Sequence, residues 1–175
     1  MYQKFYPTTL YKEFPANIYF FAIAKKIIKI CDLKNLEKKI LDFGCGEKIF
    51  TELLNRNDII NYDVKSEYTE IENYENSYFD IVIFNHVLMY MTKNEITEVL
   101  TKMKAINKNS QLVLSMGKQN LLSKIAMYLQ FRFNAHNDSV STYNDQLEIF
   151  SKHCELIEKK NIFFMTDIFL FKFRN

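Results

Sequence analysis

Glycine and proline are scarce: 175 residues carry three of the first and two of the second, and tryptophan is absent. That scarcity leaves no Gly/Pro-rich linker, and the chain has no internal repeat and no low-complexity tract. Both prolines, Pro7 and Pro15, precede the first long helical pattern, so no linker marks a second domain and one domain over residues 1–175 is expected. An excess of one charge is also missing. With 23 Lys+Arg interspersed among 21 Asp+Glu, the formal net charge of +2 makes no long-range field to draw the chain onto nucleic acid, and no nucleic-acid partner is expected. The cysteines Cys31, Cys45 and Cys154 lie far apart and form neither a C-x-x-C pair nor a zinc spacing. No disulfide and no metal are therefore expected, and a reduced, cytoplasmic setting is the simplest reading. Residues 1–7 lack the basic-then-apolar order of a secretory leader, and the apolar run 18–24 is too short to cross a bilayer, so a soluble protein is expected.

What is present is an ordinary globular balance, 48% hydrophobic and 25% charged. A chain of this length buries roughly 70% of its unfolded surface without a staple. Sixteen Phe and eleven Tyr accompany many Ile, Asn and Lys, which reads as compositional bias rather than function. Between residues 17 and 30, Ile18, Phe21, Ala22, Ala24, Ile27, Ile28 and Ile30 alternate with lysines at helical spacing, predicting an amphipathic helix that covers one face of a sheet. Strands are predicted over 39–43, 58–63, 78–85 and 111–116. The third is apolar almost throughout, as suits a strand buried on both faces. Helices are predicted over 47–55, 92–106, 120–133 and 145–153. Thr92 and Glu95 have capping-box spacing, in which each side chain satisfies a free backbone N–H. Two closing strands, 154–164 and 167–173, predict an antiparallel hairpin. Alternating strands and helices imply an open, mostly parallel α/β sheet with helices on both faces.

The chemistry concentrates in Asp42, Phe43, Gly44, Cys45 and Gly46, where a strand turns into a helix. Two glycines there let the backbone approach a ligand and let helix N–H groups face it. Asp42, at the strand end, suits an ammonium or hydroxyl partner. Seventeen residues after Gly46, Asp63 ends the next strand, where nucleotide-binding sheets hold ribose hydroxyls; taken alone it reads equally as a solvated strand end. At the carboxyl end of the third strand, Asn85 and His86 lie on the edge where open parallel sheets bind ligands. His86 reads either as a structural histidine or as a general base toward an acceptor hydroxyl. Tyr90 lines the same mouth or packs in the core, and His136 lies in a polar loop that reads first as surface.

Residues 39–46 resemble the first motif of the class I S-adenosylmethionine-dependent methyltransferases, in particular the small-molecule (type 11/12-like) group: hydrophobic-Leu-Asp-x-Gly-Cys-Gly-x-Gly. Residues 79–90 resemble that group's fourth strand and following loop, and the terminal hairpin is typical of it; the likeness runs in order over about 36–173. It implies a Rossmann-like sheet of seven strands with the last antiparallel. S-adenosyl-L-methionine would be held by Asp42, Phe43, Gly44, Cys45, Gly46, Asp63, Val64 and Asn85. The chain would divide into a helical cover (1–35), a cofactor-binding half (36–116), and acceptor-side helices with the hairpin (117–175). The family's third glycine falls at Lys48, where a helical position needs space rather than an unusual dihedral, so an outward-pointing side chain is tolerable. Only 15 residues separate Asp63 from Phe79. The third-strand region is thus shortened, and Glu70 and Ile71 are left as the adenine rim.

The implied activity is methyl transfer to a small-molecule or lipid- or sugar-linked acceptor, with His86, Tyr90 and His136 on the acceptor side. The stripe Leu121, Leu122, Ile125, Ala126 and Leu129 reads as a core-facing helix side or as at most a peripheral membrane contact. A nicotinamide dehydrogenase would want a glycine where Ile49 stands. Base-amino methylation would want prolines after Asn85, where His86 and Val87 stand. Lys48 and the short 64–78 segment also motivate an inactive methyltransferase-like binding or regulatory subunit.

Overall fold

The computed structural model of the chain describes residues 14, 16–129 and 139–174. Its elements in chain order are α1 (Ala16–Ile30), β1 (Ile40–Phe43), α2 (Ile49–Leu54), β2 (Ile60–Tyr62), β3 (Ile81–Asn85), α3 (Lys93–Ile106), β4 (Gln111–Gly117), α4 (Leu121–Leu129), α5 (Tyr143–His153), β5 (Cys154–Ile162) and β6 (Thr166–Phe173). They build one six-stranded sheet in the order β2-β1-β3-β4-β6-β5. The pairs β1/β2, β1/β3 and β3/β4 are parallel, while β6 runs antiparallel to both β4 and β5. The α/β class, the mostly parallel sheet and the terminal hairpin are those the sequence implied.

Alternation along the strands divides the core in two. Leu41, Phe43, Val82, Phe84, Leu112, Leu114, Phe169 and Phe171 face α3 and α5, where Ile96, Leu100, Met103, Ile149 and Phe150 close over them. Ile40, Ile81, Ile83, Val113, Ile168 and Leu170 face α1 and α2, against Ile23, Ala24, Ile27, Ile49 and Phe50. Helices thus cover both faces, and strand residues in phase with Ile40 and Ile83, Asp42 among them, project toward the α1/α2 side. Among the described residues no helix is long and apolar enough to cross a membrane.

Three local expectations are corrected. The third of the family's seven strands is absent among the described residues, which form six. Residues 63–80 hold only a 3-10 turn, Tyr74–Asn76. A crossover with its helix takes at least about 10–12 residues, and a further strand and its return connection do not fit in what remains of 15. Instead Glu70 N–H donates to Asn61 O at 2.9 Å along the outer edge of β2. The ring of Tyr74 packs against Phe43 and Tyr62 at centroid distances of 5.4 and 5.0 Å, joining this segment to the core on the α3 side. The second helix is shorter than 47–55, six residues bracketed by Lys48 and Asn55 in left-handed conformation. Finally, α5 begins at Tyr143 rather than Asp145, because Thr142 and Asp145 form a capping box of the kind that also opens α3 at Thr92 and Glu95. Of the helix expected over 120–133, Leu121–Leu129 is present, Asn120 precedes it, and 130–133 lie outside the described residues.

The start of β1 is pinned by one buried cation. Arg56 Nη1 donates to Leu33 O at 2.7 Å and Asn35 O at 2.9 Å, and Nη2 donates to Lys38 O at 3.0 Å. Its Nε and Nη2 also grip the Asp58 carboxylate at 2.9 and 2.6 Å. The planar guanidinium thereby fixes the α1–β1 connection to the β2 side and sets where Asp42 emerges.

Candidate active site

At the end of β1 the chain must reverse over the sheet edge, and its two glycines do different work. Gly44 has φ +75°, and its N–H donates to Tyr62 O at 2.7 Å. A Cβ there would lie 2.2 Å from Val87 Cγ2, so glycine is required both by dihedral and by the loop after β3. Gly46 has φ +48°, but a Cβ there would meet nothing within 4 Å. The space above Gly46 is open, a cradle where a ligand can lie against bare backbone. The Gly46 N–H donates to Asp63 Oδ2 at 3.1 Å, and the Lys65 N–H donates to Asp63 Oδ1 at 3.0 Å. Asp63, just past β2, is thus locked to the glycine turn beside the open space at Gly46.

Asp42 is 1% exposed, and its Oδ2 has no hydrogen-bond partner. Burial first, and then the nearby Asp63 carboxylate, push its carboxyl up to about 8. Leaving a buried acceptor unpaired costs roughly 1–3 kcal/mol. A fold that retains such an atom at the mouth of a glycine turn is complementary to a positively charged or donor-bearing ligand.

The remaining cofactor-side residues divide. The Phe43 side chain turns into the core, with ring centroids 5.2 Å from Tyr62 and 5.4 Å from Phe84, so only its backbone can serve the crevice. Cys45 is buried, its Sγ donating to Tyr68 O at 3.5 Å, and burial pushes the thiol far up. Val64, 88% exposed beside Asp63, is available as an apolar flank. Ile71 packs against the core cluster, not as a free rim. Glu70 accepts from Lys48 Nζ at 2.6 Å and Asn61 Nδ2 at 3.0 Å. Lys48 itself sits at φ +56°, ahead of the helix. The position is therefore left-handed rather than helical, a conformation that glycine adopts freely and that lysine meets under strain.

The carboxyl ends of β3 and β4 hold the second half of the site. Asn85 Oδ1 accepts from Ser115 Oγ at 2.6 Å across the β3/β4 pair. His86 follows at φ +56°, a conformation uncommon outside glycine, with its N–H shared between Ser115 O and Oγ at 3.2 and 3.1 Å. That strained step sends Val87 over Gly44 while His86 faces a cavity of about 180 Å³ bounded also by Met89, Ser115, Gln119, Tyr143 and Gln146. Tyr90 ends the 3-10 turn Leu88–Tyr90 half-buried, and Met89 rather than Tyr90 lines the cavity. His136 lies outside the described residues.

Reading the sequence missed the α5 side of this cavity. Gln146 is a polar residue on a helix stripe otherwise made of Ile149 and Phe150, and that irregularity was the available signal. Tyr143 Oη donates to Asp167 Oδ2 at 2.7 Å. Asp167 is 1% exposed and paired with Lys118 at 2.9 Å and Lys159 at 3.0 Å. Burial pulls its carboxyl upward, but bonds from Asn161, Tyr143, Lys118 and Lys159 outweigh that and hold it at about 2. No sequence pattern announces this cluster, because it joins residues from four elements and connections. Among the described residues no group of His, Cys, Asp and Glu has the makings of a metal site.

This arrangement, a strand-end acid, a glycine turn and a second acid on the next strand, agrees with the comparison of the sequence with known families. The family described as "Methyltransferase domain" matches residues 17–161. The chain belongs to the methyltransferase domain family. The fold of this methyltransferase is similar to the crystal structure of the PH0226 protein from Pyrococcus horikoshii OT3, with a TM-score of 0.69, 11% identity, and 96% of each chain covered. It is also similar to magnesium protoporphyrin IX methyltransferase from Synechocystis PCC 6803 with bound S-adenosylhomocysteine, with a TM-score of 0.62, 12% identity, and 94% of this chain and 91% of that one covered. A SAM-dependent methyltransferase from Archaeoglobus fulgidus aligns with a TM-score of 0.60 and 14% identity over 87% of this chain and 93% of that one. No curated protein matches the sequence. The cofactor of the family is S-adenosylmethionine. The methyltransferase's own residues fit it: the unpartnered Asp42 Oδ2, the open cradle above Gly46, and the Asp63 acid beside it.

Proposed function

We propose that this methyltransferase transfers the methyl group of S-adenosylmethionine to a small-molecule acceptor. The cofactor would lie in the crevice between Asp42, Gly46 and Asp63, with the acceptor in the adjoining cavity at His86. The observation that carries the reading is the buried, unpartnered Asp42 carboxyl beside the open Gly46 cradle. When bound, the cofactor supplies an electrophilic methyl on a sulfonium.

The chain's residues supply position. Asp42 would take the cofactor's ammonium, Asp63 the ribose hydroxyls, and the Gly46 backbone the close approach, with Gly44 allowing the turn beneath Val87. Val64 would flank the base, while Glu70, bound to Lys48, would bound the shortened adenine side. On the opposite wall, His86 would accept the proton released from the acceptor, held in orientation by the Ser115 bonds to its backbone N–H. A cavity of about 180 Å³ fits a small molecule rather than a macromolecular segment. One sheet carrying both sites supports a single domain, and three free, buried cysteines suit a reducing, cytoplasmic setting.

The test is incubation with methyl-labelled S-adenosylmethionine and fractionated cell extract. Label transferred into the low-mass, water-soluble fraction is expected, and its loss in an His86→Ala variant that still binds cofactor would place the histidine in proton transfer. Label only in lipid would move the acceptor to the lipid-linked class. No transfer to any fraction, with cofactor bound, would support a non-catalytic binding subunit.

A further inference from the structure

The cavity at His86 is lined in part by polar side chains that share a bias in their hydrogen bonding. Among the described residues its lining contains no Lys, Arg, Asp or Glu, and His86 is the one imidazole. An ion there would find no described ammonium, guanidinium or carboxylate to replace its hydration. Several of its polar side chains direct their hydrogens away from the space. Ser115 Oγ donates to Asn85 Oδ1 at 2.6 Å, and Ser141 Oγ donates to Leu88 O at 2.8 Å. Gln146 Nε2 is turned toward Ser141 O and Oγ at 3.4 and 3.3 Å. Tyr143 Oη donates to Asp167 Oδ2 at 2.7 Å.

The last of these is the most firmly set. Asp167 is an acceptor-only carboxylate, 1% exposed, that also receives Lys118, Lys159 and Asn161 Nδ2, the last at 2.8 Å. Its charge is fully engaged, so the Tyr143 hydrogen is held toward it and only the lone pairs of the phenol oxygen remain for a ligand. One further atom waits for a partner: Ser139 Oγ, which lines the cavity, is buried with no hydrogen bond.

Building on the methyl-transfer reading above, we propose that Tyr143, oriented by the buried Asp167, is a specificity-determining residue that selects an uncharged acceptor carrying its own O–H or N–H groups. A ligand donor satisfies the phenol oxygen. A ligand that brings only ether or carbonyl oxygens leaves that oxygen buried and unpaired, and a site built around a ligand donor rejects the analogue lacking it far more strongly than a site of apolar contacts does. Asp167 acts here as a positioning residue, through Tyr143. Size follows from the cavity volume of about 180 Å³. Since an apolar cavity of about 150 Å³ can take up benzene, this is room for about a single substituted ring.

The experiment uses the full chain saturated with S-adenosylhomocysteine and two pairs of probes that share a skeleton. These are resorcinol against 1,3-dimethoxybenzene, and cyclohexane-1,2-diol against its dimethyl ether, with benzoate as the charged probe. Affinities are read by ligand-observed NMR titration. In each pair the diol is expected to bind about ten-fold tighter than the ether, with benzoate weaker than both. Tyr143→Phe is expected to abolish that preference while leaving S-adenosylhomocysteine affinity within two-fold. Should Tyr143→Phe fail to fold, the shape-conserving Gln146→Met tests the same wall and is expected to reduce the preference at least three-fold. Equal binding of diol and ether, tighter binding of benzoate, or no binding of any probe to the cofactor-bound protein would overturn the proposal. Failure of the intact protein to bind S-adenosylhomocysteine would instead overturn the methyl-transfer reading on which it rests.

Discussion

Replacing Gly44 by alanine places a methyl 2.2 Å from Val87 Cγ2 and 2.7 Å from Val87 Cβ, on a residue held at φ +75°. The left-handed conformation alone costs an L-residue roughly 1–2 kcal/mol. Forcing a carbon into an occupied site adds about 1–3 kcal/mol, since the neighbour is a β-branched side chain on a loop tied back to β4. The sum is about 2–5 kcal/mol, a large part of the roughly 5–15 kcal/mol that holds a domain together. Gly46→Ala is the internal control. It carries the dihedral cost but meets nothing within 4 Å, so its loss should stay near 1–2 kcal/mol. Urea denaturation followed by circular dichroism reads both. Val87→Ala removes the two nearest methyls, so the double variant Gly44→Ala/Val87→Ala should recover at least 1 kcal/mol relative to additivity. Equal losses for Gly44→Ala and Gly46→Ala, or additive behaviour in the cycle, would refute the packing argument. The functional order should be the reverse of the stability order: Gly46→Ala, whose methyl enters the open cradle, should weaken S-adenosylhomocysteine binding at least ten-fold.

Asp42 makes stability depend on pH in an unusual direction. Its folded value of about 8 lies above the ordinary 3.8, so its protonated form is the one the fold favours. The stability it contributes is complete below about pH 3.8 and is lost as pH rises through about 8. Ligand-free protein should therefore be more stable relative to Asp42→Asn at pH 5 than at pH 8.5 by thermal melting, and an unchanged difference would contradict the burial argument. If Asp42 pairs with the cofactor's ammonium, S-adenosylhomocysteine binding at pH 7 should release a proton, visible as a binding enthalpy that varies with the buffer's ionisation heat. Arg56→Lys should cost about 3 kcal/mol, because one ammonium cannot replace a planar fork that serves three carbonyls and a carboxylate. A loss under 1 kcal/mol by urea titration would show that water replaces those bonds. Lys48→Gly should be neutral or stabilising by up to about 1 kcal/mol. It relieves a left-handed lysine at φ +56° and sacrifices only a surface ion pair, and a clear loss would mean that the Lys48–Glu70 contact matters more than its exposure suggests.

The sheet was legible in the sequence wherever burial leaves a period. The apolar run in β3, the lysine-flanked stripe of α1 and the Thr92 capping box each follow from a local rule, and each is where the rule puts it. The glycine turn was legible because Gly44 and Gly46 sit between a strand pattern and a helix pattern. What escaped was set by tertiary context. The dihedral of Lys48 depends on how the short α2 is entered, so counting positions from the glycine motif assigned it to the helix. The missing strand was signalled only by a chain length, and the aromatic packing of Tyr74 in that segment carries no motif. The Tyr143–Asp167 contact spans 24 residues and joins a helix N-terminus to the last strand, so it was visible only once β6 lay beside β4.

The central claim, that the crevice bounded by Asp42, Gly46 and Asp63 holds the cofactor, is tested most directly by calorimetric titration of S-adenosylmethionine and S-adenosylhomocysteine. The account predicts saturable binding of both to the intact protein, weakened at least ten-fold by Asp63→Ala and by Gly46→Ala while both variants remain folded. Binding that neither variant disturbs, or no binding by the intact protein, would contradict it.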